Sequence, residues 1–250
     1  MVRLRILALG LALVGWPAVG WAQFTLVGQD EQECGGATSC QAGTAVTAQA
    51  GDLVVLGISL RGACTTITND GVGASDATNG AYTVNAANAY CDSNNTGAGV
   101  AIAYFINSGA ASLQPTATWA TSTTGYINFS VWRPTGTVTA DQFNEIENGG
   151  STSQSHGSIT TTGVGLIVTA SEEFTDTTET VATNFTALTN NNSRDYFQYW
   201  ITTGAQTTTG AYTTGDSVGS VGAIASFLDD GGGASTPCTM TLLGVGKCDE

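Results

Sequence analysis

The chain has 250 residues, 42% of them hydrophobic and only 10% charged, with a formal net charge of −14 at pH 7. Such an acidic chain repels phosphate backbones and anionic lipid headgroups, which argues against nucleic acids and membrane surfaces as partners. The apolar content is high enough for a folded core and is unlike that of a disordered acidic tail.

The first 22 residues have the layout of a secretory signal peptide. Arg3 and Arg5 precede a short apolar run, and the small residue Ala22 marks a cleavage site. The run is shorter than the ~20 apolar residues of a membrane-spanning helix, and Pro17 interrupts it. We therefore expect a secreted protein without membrane insertion. Removal of the two arginines leaves four basic and 20 acidic residues, so the mature net charge is −16.

All six cysteines lie in the expected mature chain, and an even number after an export signal indicates three disulfides. They are Cys34, Cys40, Cys64, Cys91, Cys238 and Cys248. Sequence alone leaves many pairings open; we expect neighbours to pair, 34 with 40, 64 with 91 and 238 with 248, because each bond would close a local loop. A zinc site is the alternative, but the chain has no Cys-x2-Cys motif and a single histidine.

Most of the chain alternates short strand-like runs with Gly, Asn, Asp and Ser. The run LVVLGISL at 53–60 is β-branched and apolar on both of its alternating faces, which predicts a strand covered on both sides. Asn79-Gly80 predicts a tight type I′ hairpin turn. The polar stretch ADQFNEIEN at 140–148 is expected to be one helical turn or a loop. This spacing of short strands predicts an all-β fold, a jelly-roll-like antiparallel β-sandwich over residues 23–230, with residues 231–250 as an extension packed on it.

The chain also repeats itself at a separation of 95 residues. FINSGAAS at 105–112 matches WITTGAQT at 200–207, and the aromatic residues around them keep the same alternation. A weaker match between GDLVVLGIS at 51–59 and GLIVTAS at 165–171 has another offset, which indicates a loop of different length. Preserved alternation sends equivalent side chains to the same face of a sheet, so we expect two related halves. The matched residues are Tyr104 with Tyr199, Phe105 with Trp200, Ile106 with Ile201, Gly109 with Gly204, and Trp132 with Phe227.

Several of these phrases together resemble a jelly-roll domain of bacterial secreted and phage structural proteins. The phrases are AGDLVVLGISLRG, SDATNGAYT, AIAYFINSGAAS, INFSVWR and VGAIASFL, and the resemblance covers about residues 45–228. It implies display, adhesion or particle architecture and carries over no enzyme active site. The six cysteines depart from the pattern, and the signal peptide argues against a virion component.

Residues suited to catalysis are few. His156 is the only histidine, and without a Gly-x-Ser-x-Gly motif we interpret it as a solvated loop residue. Two pairs of glutamates, Glu145 with Glu147 and Glu172 with Glu173, would suit acid and base roles in glycoside hydrolysis. The first pair lies in the polar, loop-like stretch at 140–148, and the adjacent glutamates of the second pair would face opposite ways in a strand. We therefore interpret both pairs as surface charge.

Two kinds of binding site are compatible with the sequence. Asn69, Asp70 and Asp76 lie in an oxygen-rich loop that could hold calcium, although turn-forming residues explain the same pattern. Trp119 and Tyr212 lie in Thr-rich segments and are candidates for exposed glycan-binding platforms, the alternative being that they cap the core. Sequons begin at Asn94, Asn128, Asn184 and Asn191.

The sequence therefore predicts a secreted, non-enzymatic structural or adhesive module without a resident cofactor, unless calcium binds. Its loops would contact a surface polysaccharide or neighbouring subunits, and self-association is left open. A calcium-assisted carbohydrate-binding module is the alternative, followed by a glycan-active hydrolase.

Overall fold

A computed structural model describes residues 23–61, 71–91, 98–188 and 194–231, with only the backbone described for residues 86–91. Seventeen strands are the regular elements of this part of the chain, which confirms the all-β prediction. They are β1 (Phe24–Gln41), β2 (Val46–Ala48), β3 (Leu53–Arg61), β4 (Val72–Asp76), β5 (Gly80–Ala81), β6 (Thr83–Cys91), β7 (Gly99–Phe105), β8 (Ala111–Leu113), β9 (Thr116–Pro134), β10 (Val138–Gln154), β11 (Ile159–Thr160), β12 (Gly165–Glu173), β13 (Glu179–Thr180), β14 (Thr186–Ala187), β15 (Asp195–Thr202), β16 (Thr207–Thr208) and β17 (Tyr212–Asp229).

Two antiparallel sheets face each other in a sandwich-like arrangement. The first has the order β5-β4-β9-β3-β7-β6, with β1 paired to β9; the second has the order β10-β17-β12-β15-β14, with β13 paired to β17. Two small ribbons, β2 with β8 and β11 with β16, complete the strand pairs. Described residues contain no helix long and apolar enough to cross a membrane.

The two sheets are built from the same pattern of strand pairs, which confirms the prediction of two related halves. We call β1–β9 the first half and β10–β17 the second half. The pairs β1–β9, β3–β7, β3–β9 and β4–β9 recur as β10–β17, β12–β15, β12–β17 and β13–β17. The ribbons β2–β8 and β11–β16 also correspond. Each half is therefore one copy of a single strand topology.

The register of the strands fixes which residues are equivalent. Val55 pairs with Tyr104 in the first half, and Val168 pairs with Tyr199 in the second. Leu53 lies opposite Trp132, as Leu166 lies opposite Phe227. The two tyrosines, 95 residues apart, therefore occupy equivalent positions in the two halves. Equivalent residues of β3 and β12 are 113 residues apart, because the loops between the strands differ in length.

The buried apolar side chains form three clusters instead of the single shared interior that a simple sandwich has. A central cluster lies between the sheets and takes residues from both halves, including Leu53, Tyr104, Trp132 and Phe227. A second cluster lies on the outer side of the first sheet, and a smaller third cluster lies on the outer side of the second sheet. Residues 53–60 are buried throughout, so β3 is covered on both faces as predicted.

Two local predictions were wrong. Residues 140–148 lie within strand β10, because pairing with β17 satisfies their backbone although the segment lacks an apolar alternation. The hairpin at Asn79-Gly80 is not a type I′ turn. Asp76 pairs with Gly80 across a three-residue loop, and Gly80 has a positive φ of 75° whereas Asn79 does not. Type I′ turns require positive φ at both central residues.

The Cys34–Cys40 disulfide is present, with Cα atoms 5.5 Å apart, as predicted. The other expected partners, Cys64, Cys238 and Cys248 and the side chain of Cys91, lie outside the described residues. So do the expected signal peptide at residues 1–22 and most of the C-terminal extension, residues 232–250.

Candidate functional site

On the outer side of the second sheet, buried polar side chains occupy positions that are apolar in the first half. Thr169 lies between Gln198 and Ile224 in the second sheet, whereas the equivalent Leu56 lies between Ala103 and Phe129. Thr169 and Gln198 are both buried, as are their apolar counterparts. Burying a polar group costs free energy unless it is hydrogen-bonded. The buried polar residues of the second half therefore indicate a role other than packing.

A pocket of about 460 Å³ opens on this side of the second half. It lies between the turn that follows β13 and the segment around β16. Its wall contains one tryptophan, two side-chain amides, four threonines and two alanines, and no charged side chain. The lining residues are Ala182, Thr183, Asn184, Trp200, Gln206, Thr207, Thr208, Thr209 and Ala211.

The pocket lies above the polar interior, and backbone groups connect the two. The N–H of Ala182, in the pocket wall, donates to Oε1 of Gln198 at 3.1 Å. The carbonyl of Thr209, on the opposite wall, accepts the backbone N–H of His156 at 2.9 Å. We therefore treat the pocket and the residues beneath it as one candidate site.

Trp200 forms the aromatic wall of the pocket. Its ring is half-buried and packs on Phe185, with ring centroids 5.7 Å apart. Asn184, the neighbour of Phe185, is exposed and adopts a left-handed backbone with φ of 72°. Asparagine tolerates that conformation better than most residues. The turn thus holds an amide side chain at the rim of the pocket, facing the same space as the tryptophan.

His156 is fully buried beneath the pocket, so its interpretation as a solvated loop residue was wrong. Its Nδ1 donates to the carbonyl of Gly210 at 2.7 Å, and its Nε2 has no hydrogen-bond partner. The ring stacks on Tyr212 with centroids 4.6 Å apart. Burial lowers the pKa of His156 to about 4, so the imidazole is neutral at physiological pH. The loop that contains His156 is folded over the second sheet.

A group of carboxylates occupies one end of the second half. Glu172 is fully buried between the sheets, where Arg61 Nε lies 3.1 Å from its Oε1. Arg61 also reaches Asp195, with Nη2 3.0 Å from Oδ2, and the hydroxyl of Ser59 lies within hydrogen-bonding distance of both carboxyl groups. Arg194 Nε lies 3.4 Å from Glu172 Oε1. Burial, together with the charge of Asp195, raises the pKa of Glu172.

Glu173 points to the opposite side of the sheet, as expected for adjacent residues in a strand. It is also fully buried, so the interpretation of Glu172 and Glu173 as surface charge was wrong. Its Oε1 accepts the hydroxyl of Tyr212, and burial raises its pKa to about 7. Burial and the charge of Glu173 raise the pKa of the nearby Glu179 to about 9. The second half therefore buries carboxyl groups that bind protons more tightly than exposed ones.

The Glu172–Glu173 pair lacks the arrangement of a glycosidase, because the two carboxyl groups lie on opposite sides of the sheet. Ser59 bonds to both Glu172 and Asp195, and Arg61 occupies the same carboxylates, so a substrate has no free oxygen to meet there. Glu145 and Glu147 lie on strand β10, facing Ala223 and Val221 of β17, and Glu145 is half-buried. Hydrolysis requires two carboxyl groups separated by the sugar and its attacking group.

The calcium prediction rests on one described residue. Asn69 and Asp70 lie outside the described residues, whereas Asp76 caps the hairpin turn between β4 and β5. Its Oδ1 accepts the N–H groups of Thr78 and Asn79 at 2.7 and 2.8 Å, and its Oδ2 accepts the Tyr82 hydroxyl at 2.5 Å. Although burial opposes it, these bonds hold the pKa of Asp76 below its ordinary value. Within the described ranges, no group of three or more His, Cys, Asp or Glu side chains could hold a metal ion.

Trp119 and Tyr212 are both buried and offer no ring face to solvent, so they are not exposed glycan platforms. Trp119 packs in the outer cluster of the first half and donates its indole N–H to the carbonyl of Ala37 at 2.8 Å. Tyr212 lies between His156 and Tyr196. Both residues belong to the interior, in line with the alternative that they cap the core. Among the sequons, Asn128 is buried in β9 and Asn184 is exposed.

Sequence reasoning missed the pocket itself. Trp200 was identified only as the partner of Phe105 in the repeat, and its half-exposed position follows from the folding of residues 181–188 beside it. The Thr-rich stretch TTGAQTTTGA at 202–211 is the one sequence signal that could have drawn attention to this wall. Comparisons of the chain with models of protein families, curated protein sequences and solved structures returned no match.

Proposed function

We propose that this protein is a secreted, non-enzymatic adhesive module that binds a neutral surface polysaccharide in the Trp200 pocket. The observation behind this proposal is the chemistry of the pocket wall, where one tryptophan faces amide and hydroxyl side chains. Sugars have an apolar face of C–H groups that packs on an aromatic ring and a periphery of hydroxyls that hydrogen-bond to amides and hydroxyls.

Size and charge restrict the class of ligand. A pocket of about 460 Å³ lies within the range of roughly 300–1,000 Å³ typical of small-molecule sites. The wall has no charged side chain, and the chain as a whole is acidic, so an anionic sugar would be disfavoured. A neutral oligosaccharide segment fits both conditions. The wall also lacks a carboxylate that calcium could bridge to a ligand, so the proposed binding is independent of calcium.

The test begins with an array of neutral and acidic glycans, probed with protein that was secreted under oxidising conditions. The affinity for the best glycan is then measured by calorimetry for wild type and Trp200→Ala. Loss of the aromatic wall should weaken binding by about tenfold or more, because an aromatic contact is worth on the order of 1 kcal/mol beyond its buried area. A chelator should leave the affinity unchanged.

Two further variants separate the pocket from general effects. Phe105→Ala changes the residue equivalent to Trp200 in the first half and should leave the dissociation constant unchanged. Asn184→Gly keeps the left-handed backbone and removes only the amide, so it should weaken binding without loss of stability. If neutral glycans fail to bind, or if Trp200→Ala binds as tightly as wild type, the proposed role of the pocket is wrong. Ordered self-assembly together with silence on the array would favour an architectural subunit.

A further inference from the structure

The polar interior beneath the pocket contains reactive groups that packing does not require. We call His156, Thr169 and Gln198 the buried triad. In the first half the register gives Leu56 and Ala103 as the equivalents of Thr169 and Gln198. Ala42 follows Cys40 by two residues as His156 follows its equivalent Gln154, and Ala42, Leu56 and Ala103 all belong to an apolar cluster. The same strand topology is therefore stable with hydrocarbon side chains there. Placing a hydroxyl, a carboxamide and an imidazole in this interior costs desolvation free energy that the fold does not need to spend.

The hydrogen bonds of the buried triad are incomplete. The hydroxyl of Thr169 and the Nε2 of His156 are both buried without a hydrogen-bond partner. Buried polar atoms are normally paired, so each unpaired atom requires an explanation. Here two of them belong to side chains that surround one carboxamide.

The carboxamide of Gln198 lies beside Thr169 and His156 and is held there by hydrogen bonds. Thr169 and Gln198 are directly opposite residues of β12 and β15, and side chains in such pairs lie side by side on one face of the sheet. The N–H of Ala182 donates to Gln198 Oε1 at 3.1 Å, which polarises the carbonyl as an oxyanion donor would. Nε2 of Gln198 lies 3.4 Å from Nδ1 of His156 and 3.3 Å from the carbonyl oxygen of Gly210.

Gly210 brings Thr169 and His156 together. A Cβ atom at this position would lie 3.1 Å from His156 Nδ1 and 3.1 Å from Thr169 Cγ2, so both side chains close around this glycine. Its φ of 57° is also in the left-handed region. The absence of a side chain at this position thus lets the Thr169 methyl group and the His156 ring approach each other next to the carboxamide of Gln198.

The geometry points to an intramolecular ester bond between Thr169 and Gln198, formed by the folded protein itself. Oγ1 of Thr169 attacks Cδ of Gln198, and the Cδ–Nε2 bond breaks. The hydroxyl proton passes through the imidazole of His156 to the departing nitrogen, which leaves as ammonia. No oxidant, metal or cofactor enters the balance, because one C–O bond replaces one C–N bond. The ester would join β12 to β15 covalently beneath the ligand pocket, and it does not depend on the proposed glycan binding.

The decisive measurement is the mass of the purified wild-type protein after folding, with its disulfides reduced. We expect the mass to fall below the sequence value by one ammonia molecule. Trypsin cleaves after Arg61 and Arg194, so it separates Thr169 from Gln198 and leaves Gln23 in a third peptide. The peptides containing Thr169 and Gln198 should stay joined and should separate in hydroxylamine, which cleaves esters. Loss of ammonia located in the Gln23 peptide would indicate cyclisation of that residue and would count against the ester.

Three variants test the assignment. Thr169→Val removes the nucleophilic hydroxyl with little change in volume, and its two tryptic peptides should separate without hydroxylamine. Thr202→Val removes another buried hydroxyl from the same pair of strands and should retain the cross-link. His156→Phe should slow or abolish the loss of ammonia during refolding. Wild-type protein whose mass equals the sequence value and whose peptides separate freely would overturn the proposal, whatever the variants do.

Discussion

The two halves of this molecule share one strand topology but fill it differently. On the outer side of the first sheet, Leu56, Leu60 and Ala103 pack in an apolar cluster. At the equivalent positions the second half buries Thr169, Glu173 and Gln198. The pairing of strands therefore does not depend on one particular interior. The first half shows what the fold requires, and the polar residues of the second half show what has been added to it.

The same comparison holds at the end of the long hairpin. Cys34 lies opposite Gly125 and Cys40 opposite Ala117 in the first half, and a disulfide joins the two cysteines. In the second half the equivalent residues are Asn148, opposite Ser220, and Gln154, opposite Tyr212. Here the hydroxyl of Ser220 accepts from Asn148 Nδ2 at 2.9 Å and donates to Gln154 Oε1 at 3.0 Å. A hydrogen-bonded bridge thus occupies the place of a covalent one.

The largest predicted effect concerns Arg61, a cation of the first half that contacts carboxyl groups of the second half. Arg61 contacts both Glu172 and Asp195, and its side chain is 24% exposed. We expect Arg61→Ala to lower the free energy of unfolding by about 3 to 5 kcal/mol, because it removes the cation shared by two buried carboxyl groups and leaves Glu172 with the longer contact to Arg194. Urea denaturation at pH 7 measures this change. The loss should grow as the pH rises and more of the carboxyl groups ionise.

Arg133→Ala is the matched control, since Arg133 also pairs with a buried carboxylate, Asp52, but within the first half and with 39% of its side chain exposed. It should destabilise the protein less than Arg61→Ala. If the two substitutions lower the free energy of unfolding equally, Arg61 contributes no more to stability than a cation paired with a single carboxylate.

The second prediction is a stability maximum at acidic pH. The pKa of Glu173 is raised from 4.5 to about 7 and that of Glu179 to about 9. Their contribution to stability is complete below pH 4.5 and is lost as the pH rises through 7 and 9. The pKa of His156 is lowered from 6.5 to about 4, so its contribution is present above pH 6.5 and lost as the pH falls through 4. Two carboxyl groups oppose one imidazole, so thermal unfolding should show highest stability near pH 4 to 5.

Glu173→Gln sharpens this prediction because it removes one of the titrating groups and keeps the size of the side chain. Its stability should change less between pH 5 and 8 than that of wild type, by about 3 kcal/mol at most, since one pKa unit corresponds to about 1.4 kcal/mol. Identical profiles for Glu173→Gln and wild type would contradict the buried, proton-binding state of Glu173.

The sequence predicted the architecture better than the site because the two depend on different physical signals. Alternation and the aromatic repeat determine which face a residue takes, so the relation of Tyr104 to Tyr199 was predictable from residue order. Burial of a polar residue has no such signal: Glu172, Glu173 and His156 were assigned to the surface, yet the neighbouring sheet and loops enclose them. The strand at 140–148 was not predicted because it has no apolar alternation, and its strand structure comes from pairing with β17.

The smallest predicted effect on stability tests the equivalence of the two hairpin ends directly. Asn148→Cys with Gln154→Cys places two thiols in the register of Cys34 and Cys40, with the same separation of six residues. We expect a disulfide to form in protein secreted under oxidising conditions, seen as a peptide cross-link that reduction releases. The bond should add about 2 kcal/mol by restricting the unfolded chain. The double substitution also removes the bridge through Ser220, worth about 1 to 2 kcal/mol, so the net change in the free energy of unfolding should be within about 1 kcal/mol. Ser220→Ala alone, which breaks the bridge without adding the bond, should lower stability by about 1 kcal/mol. Two thiols that remain free would mean that the hairpins differ in backbone geometry at this end, despite their matching register.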